Sequence, residues 1–149
     1  LKKFNLKIQK DPSEIDPETI NHFYKKAKNH LLNENVFKKW FISYLSTPKE
    51  VIETGMVYTQ EDIIELNQNN VIMKDLNTRF NSFNEKEDYI VSINKNLYRI
   101  TKDNYKILSE WFLTSSSDSI SIDFEKLDNE AWLFLLDLFK NGTFFFEEV

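Results

Sequence analysis

The chain contains no cysteine, two glycines, three prolines and two histidines in 149 residues. Each scarcity removes a class of protein. Without cysteine there is neither a disulfide framework nor a zinc–thiolate site, and a reducing cytoplasm is the natural setting. Gly55 and Gly142 are too few and too far apart for a glycine-rich phosphate loop, which needs several residues without Cβ. The longest unbroken apolar run is Ala131 to Leu136, far short of the roughly 20 residues of a membrane span. No basic segment followed by an apolar one opens the chain, so neither a signal peptide nor a membrane partner is expected. The first residue is Leu and not Met, which fits a fragment of a longer protein.

What is abundant is aromatic: thirteen Phe, six Tyr and three Trp. A chain of this length suits one domain, or one domain with an appendage, and needs no covalent staples to hold a core. The net charge of −5 is unevenly spread. Residues 1–50 carry ten Lys against six acids, residues 51–117 seven bases against ten acids, and residues 118–149 two bases against eight acids. The last third would repel nucleic acid.

The densest hydrophobic mass lies near the end. Asp128 is a natural N-cap, Gly142 suits the left-handed position after a helix, and the residues between are apolar around nearly the whole circumference. That predicts a buried helix. Phe144, Phe145 and Phe146 then predict a short strand returning through the core.

From the start, Phe4, Leu6 and Ile8 alternate with polar residues as a half-buried strand does, or as the extended tail of a preceding domain. Asp16-Pro17 is a helix start, and Ile20, Phe23, Tyr24, Ala27 and Leu31 follow on one face. Asn33-Glu34-Asn35 breaks the pattern, with Asn35 as the expected cap of a second helix. Its stripe, Val36, Phe37, Trp40, Phe41, Tyr44 and Leu45, is broad and aromatic, and Pro48 stops it. Two short helices cannot bury such faces on each other alone, which marks an interface element.

Glu50 to Val57 is expected to be a linker. Thr59 with Asp62 predicts a capping box, Val71 to Met73 a strand, and Arg79 to Asp88 a polar loop. Tyr89 to Ile93 and Leu97 to Ile100 predict a hairpin around Asn94-Lys95-Asn96. A helix capped by Thr101 or Asp103 carries Tyr105, Ile107, Leu108, Trp111 and Phe112. A Ser-rich loop, Thr114 to Ser119, and an alternating Ile120, Ile122 and Phe124 lead to the last helix. The fold class is thus α+β: a helical dimerisation segment over residues 17–50 and a winged-helix-like domain over 57–149, after a tail of residues 1–16.

Reaction chemistry is sparse. His22 and His30 are eight residues apart on one helix, about 12 Å along its axis and too far to share a metal. Ser115 to Ser117 lack a glycine elbow, and Asp123, Glu125, Asp128 and Glu130 lack calcium-loop spacing. Neither catalytic nor cofactor-binding nor metal-binding residues are assigned. The aromatic stripe beside Lys38 and Lys39 could stack bases, but at helical spacing a stripe such as Val36, Phe37, Trp40, Phe41 and Tyr44 is more often core or subunit interface. The alternative is a stand-alone winged-helix module that binds nucleic acid or a regulatory partner. The last helix offers only Lys140 to a duplex, so nucleic acid is not the expected partner.

Three stretches resemble a known family. Asn35 to Ser46 resembles the helix that follows the catalytic domain in bacterial ribosomal oxygenases, the JmjC (cupin-fold) hydroxylases using Fe(II) and 2-oxoglutarate. Tyr58 to Asn69 is similar to the first helix of their C-terminal winged-helix domain, and Asp128 to Glu147 to their chain terminus. The resemblance implies that this is the non-catalytic C-terminal part of such an enzyme. The Fe(II) and 2-oxoglutarate sites would lie in a missing N-terminal domain, the middle helices would form a homodimer, and the parent's substrate would be a ribosomal protein, an arginine in the best-known members. The catalytic motif is not in this sequence, so the resemblance carries no catalytic residue over and implies an inactive fragment.

Overall fold

The computed structural model describes residues 17–149, apart from the side chains of residues 30–32. The alternating stretch Phe4 to Ile8, the tail of residues 1–16 and the Asp16 cap lie outside the described residues. The chain forms two compact units, one ending at Trp40 and one running from Phe41 to Val149.

In the first unit α1 spans Pro17–Leu32 and α2, Glu34–Leu45, begins. The start of α2 is set two residues earlier than the sequence suggested. Asn33, not Asn35, caps α2: its Oδ1 accepts from the backbone N–H groups of Asn35 at 3.1 Å and Val36 at 3.2 Å. Both residues have the short acceptor that a cap requires, so composition could not separate them.

The second unit is α+β. After α2 come α3 (Gln60–Leu66), β1 (Asn70–Lys74), β2 (Phe80–Glu85), β3 (Asp88–Ile93), β4 (Asn96–Thr101), α4 (Lys102–Leu113), one 3₁₀ turn (Phe124–Lys126), α5 (Asn129–Lys140) and β5 (Phe144–Glu148). β1 and β5 make an antiparallel pair, and β2-β3-β4 a three-stranded antiparallel meander. Thr59 and Asp62 form the full capping box of α3, each side chain accepting from the other's backbone N–H. The β3–β4 hairpin turns on Asn94 (φ 49°) and Lys95 (φ 77°), the pair of left-handed residues that a two-residue loop demands.

Arg79 to Asp88 is not a loop. Phe80 to Glu85 is a strand paired with β3 throughout. Its two aromatics, Phe80 and Phe83, sit three apart among Asn and Ser, which hides the two-residue period of a strand. Phe80 stacks on Phe112 with ring centroids 4.7 Å apart, and that tertiary contact outweighs weak local propensity. Beyond α4, the alternating Ile120–Phe124 stretch forms only one bridge, Ile120 to Ile72, before the 3₁₀ turn.

α5 is the centre of the core. Ala131, Trp132, Phe134, Leu135, Leu138 and Phe139 are buried, against Ile63, Ile72, Val91, Ile100, Leu108 and Trp111 among others. The burial is less complete than expected, since Leu133 is 61% exposed. Of the terminal phenylalanines Phe144 is buried and Phe145 faces out, as the alternation of a strand requires. Lys74 is buried at the end of β1, where its Nζ donates to the carbonyls of Phe112 (2.8 Å) and Thr114 (2.6 Å), closing the C-terminus of α4. Burial pushes its pKa down.

Asp128 accepts from the N–H of Ala131 at 2.9 Å and from the Asn104 amide at 3.0 Å. These donors, the Ala131 N–H first, hold its carboxyl below the usual carboxylate range. Around pH 4 the unfolded carboxylate therefore binds more protons than the folded one, so this contribution is present at neutral pH and lost as pH falls. Asp128→Ala is expected to cost about 1 kcal/mol at pH 7, and the difference from the unmodified chain should shrink toward pH 3. Urea melts across that range test it, and a pH-independent difference would contradict the assignment.

Candidate interface

α2 has two faces with different jobs. On one, Ile42 and Ser46 are buried and Ser43 half-buried. Ser46 Oγ lies 2.5 Å from Ser92 Oγ on β3, and accepts from the N–H of Lys95 at 3.1 Å. Ser43 Oγ donates to the Lys95 carbonyl at 3.2 Å. The hairpin turn gripped this way is held from its other side as well. Asn94 Oδ1 accepts from the Arg79 N–H at 2.8 Å, and its Nδ2 donates to Thr143 Oγ1 at 3.2 Å. A buried hydroxyl pair with every partner made fixes one geometry, because any shift leaves a polar group unsatisfied. The C-terminal end of α2 is therefore clamped to its own domain.

The residues at the opposite helical positions are the ones singled out from the sequence. Val36, Trp40, Phe41 and Tyr44 are 39–64% exposed, and Phe37 is half-buried with its ring 5.8 Å from that of Trp40. In α1, Ile20, Phe23 and Tyr24 are exposed by more than half. Large aromatics at such spacing, left this open, are rare on a surface that meets only water. Lys38 is committed to Glu34 at 2.7 Å, which weakens the case for base stacking at this stripe.

The segment after α2 is anchored too. The expected linker Glu50–Val57 has no regular structure, yet Gly55 N–H donates to the carbonyl of Lys140 at 3.0 Å. Gly55 lies directly on Gly142: a Cβ on Gly55 would fall 1.9 Å from the Phe139 carbonyl, and one on Gly142 1.9 Å from the Glu53 carbonyl. The two glycines of the chain thus exist for one backbone-to-backbone approach. In the sequence Gly142 marks a helix stop and Gly55 a linker, and nothing at either position signals that they meet.

The other candidates resolve to structural roles. His22 packs edge-on against Phe23, and the His30 side chain lies outside the described residues. Ser115 and Ser117 bond each other across a turn at 2.9 Å, and Asp123 pairs with Lys126 at 3.4 Å. Among the described residues no three His, Asp or Glu converge, so they do not fit an Fe(II) ion, and no helix is long and apolar enough to cross a membrane.

Comparison with solved structures finds the fold in crystal structures of the Escherichia coli ribosomal oxygenase YcfD. One matches with a TM-score of 0.57 at 17% identity, covering 96% of this chain and 39% of that chain. The same oxygenase in complex with cobalt and succinic acid gives 0.56 at 18%, over 96% and 39%. With cobalt and 2-oxoglutarate it gives 0.55 at 18%, over 99% and 40%. This chain spans about two-fifths of the length of those proteins. No protein-family model matches it, and no curated protein does. At this identity the likeness is one of fold, and it falls on the family that Asn35–Ser46, Tyr58–Asn69 and Asp128–Glu147 resemble.

Proposed function

We propose that this chain is the non-catalytic C-terminal region of a ribosomal-oxygenase-like, Fe(II)- and 2-oxoglutarate-dependent protein hydroxylase, working in the cytoplasm. In this reading α1 and α2 hold two copies together, and residues 57–149 are a winged-helix-like domain whose helices face a core instead of a duplex. The observation that carries it is coverage: the likeness runs over 96% of this chain and only 39% of the oxygenase. The exposure of Val36, Trp40, Phe41 and Tyr44 adds support, because large aromatics at helical spacing favour a covering partner. Val36, Phe37, Trp40, Phe41 and Tyr44 supply the apolar area of the homodimer, and the parent's substrate is a ribosomal protein.

The iron-binding residues then belong to polypeptide outside these 149 residues. Reading the residues encoded on the N-terminal side of Leu1 tests this: a His-x-Asp pair followed by a distant His is expected, and a segment without them overturns the reading. The nucleic-acid alternative has its own check. The buried α5 and the eight acids in residues 118–149 predict no salt-sensitive binding to a short DNA duplex at micromolar concentration. Binding that weakens steeply with salt would favour the stand-alone module.

A further inference from the structure

The groove beside β4 has the parts of a peptide site. β4 is an edge strand of its sheet. Ile93 and Asn96 flank a two-residue turn, so Asn96, Tyr98 and Ile100 bond β3, while Leu97, Arg99 and Thr101 direct their N–H and C=O groups outward. The Thr101 N–H pointing at Glu130 Oε2, 3.4 Å away, agrees with that register. Between this edge and α5 runs a groove of about 370 Å³ lined by Tyr98, Ile100, Glu130, Leu133, Phe134 and Asp137 among others.

The α5 residues of that lining are Glu130, Ala131, Leu133, Phe134 and Asp137, with a carboxylate at each end and three apolar residues between. Each carboxylate is held by one oxygen. Glu130 Oε2 accepts from Thr101 Oγ1 at 2.8 Å and from the Asn104 amide at 2.5 Å. Asp137 Oδ2 accepts from Tyr98 OH at 2.5 Å and from the Asn141 amide at 3.0 Å. The second oxygen of each accepts no hydrogen bond from the described residues, and no Lys or Arg among them pairs with either. Arg99, at the rim, is engaged by Glu85 at 3.2 Å and Asp88 at 3.5 Å.

We infer that this groove takes an extended basic segment of another protein, which adds as a strand to β4 and sets two cationic side chains on Glu130 and Asp137. The backbone of Leu97 and Arg99 supplies the ladder, and Leu133, with 61% of its surface exposed, takes an apolar side chain between the cations. Two turns of α5 separate the carboxylates by about 10 Å along the helix axis, a span that three to four extended residues with flexible basic side chains can bridge. The inference stands on the second unit alone and does not depend on the oxygenase reading.

The test is fluorescence anisotropy of the full chain with a labelled nonapeptide of alternating Thr and Val, carrying two Arg four residues apart. Binding in the range of about 10–100 µM is expected. Replacing both Arg by Gln, or making Glu130→Gln with Asp137→Asn, should weaken it about tenfold. Those amides keep an acceptor for Thr101 and Tyr98, and a thermal melt of the double variant checks that it folds. The decisive arm leaves the protein unaltered: N-methylation of alternate peptide amides should abolish binding. No binding at about 1 mM, equal binding of the methylated peptide, or indifference to the charge changes would overturn the proposal.

Discussion

Gly142→Ala is expected to destabilise the chain by about 3 kcal/mol, lowering its melting temperature by roughly 10 °C or more. Two effects combine. Gly142 has φ 71°, and α5 ends there in a complete Schellman motif, with Gly142 N–H donating to Phe139 at 3.0 Å and Thr143 N–H to Leu138 at 2.9 Å. A side chain in that conformation costs about 1–2 kcal/mol by itself. The added Cβ would also meet the Glu53 carbonyl at 1.9 Å, a backbone atom that cannot swing aside. Relief requires lifting the 50–57 segment off α5, which breaks the Gly55 to Lys140 hydrogen bond. Gly55→Ala should fail similarly, though without the left-handed penalty, through its 1.9 Å approach to Phe139. Urea unfolding measures both. A loss below about 1 kcal/mol for Gly142→Ala would mean that the two glycines do not pack together.

Trp40→Ala carries the other large effect, on assembly and not on folding. Trp40 is half exposed on the α2 stripe, flanked at helical spacing by Val36, Phe37, Phe41 and Tyr44. In a homodimer it would be a central aromatic anchor, and truncating such a residue costs about 2 kcal/mol or more of binding. The dimer dissociation constant should rise about 30-fold, while the melting temperature at concentrations where both forms are monomeric stays nearly unchanged. Ser46→Ala gives the opposite pattern: it removes the buried partner of Ser92 and should lower stability, leaving the stripe chemistry as it was. A Trp40→Ala variant that associates like the parent would remove the stripe from the interface.

The parts legible in the sequence were those written by local chemistry. Thr59 with Asp62, Asp128, Pro17 and Gly142 announce their helix ends because caps and the left-handed position accept few residue types. Asn94 announces its turn for the same reason, whereas Asn96, read as part of that turn, opens β4, and Lys95 takes the second left-handed position. The aromatic stripe of α2 was legible by its period, since only a helix brings the adjacent pairs 36/37, 40/41 and 44/45 to one side. What stayed hidden depended on distant partners. β2 exists because Phe80 finds Phe112 and because β3 offers it an edge, neither of which is written in Phe80-Asn81-Ser82 itself. The Ser46–Ser92 and Gly55–Gly142 meetings join residues 46 and 87 positions apart, using types that are ordinary in any loop. The groove of β4 was invisible because Glu130 and Asp137 look like any solvated acids until Tyr98 and Asn104 are seen holding them.

The central claim is that α1 and α2 join two copies, and sedimentation equilibrium of the unmodified chain tests it most directly. At about 10–100 µM the account predicts a species of twice the 17.9 kDa chain mass. A single 17.9 kDa species throughout that range would contradict it.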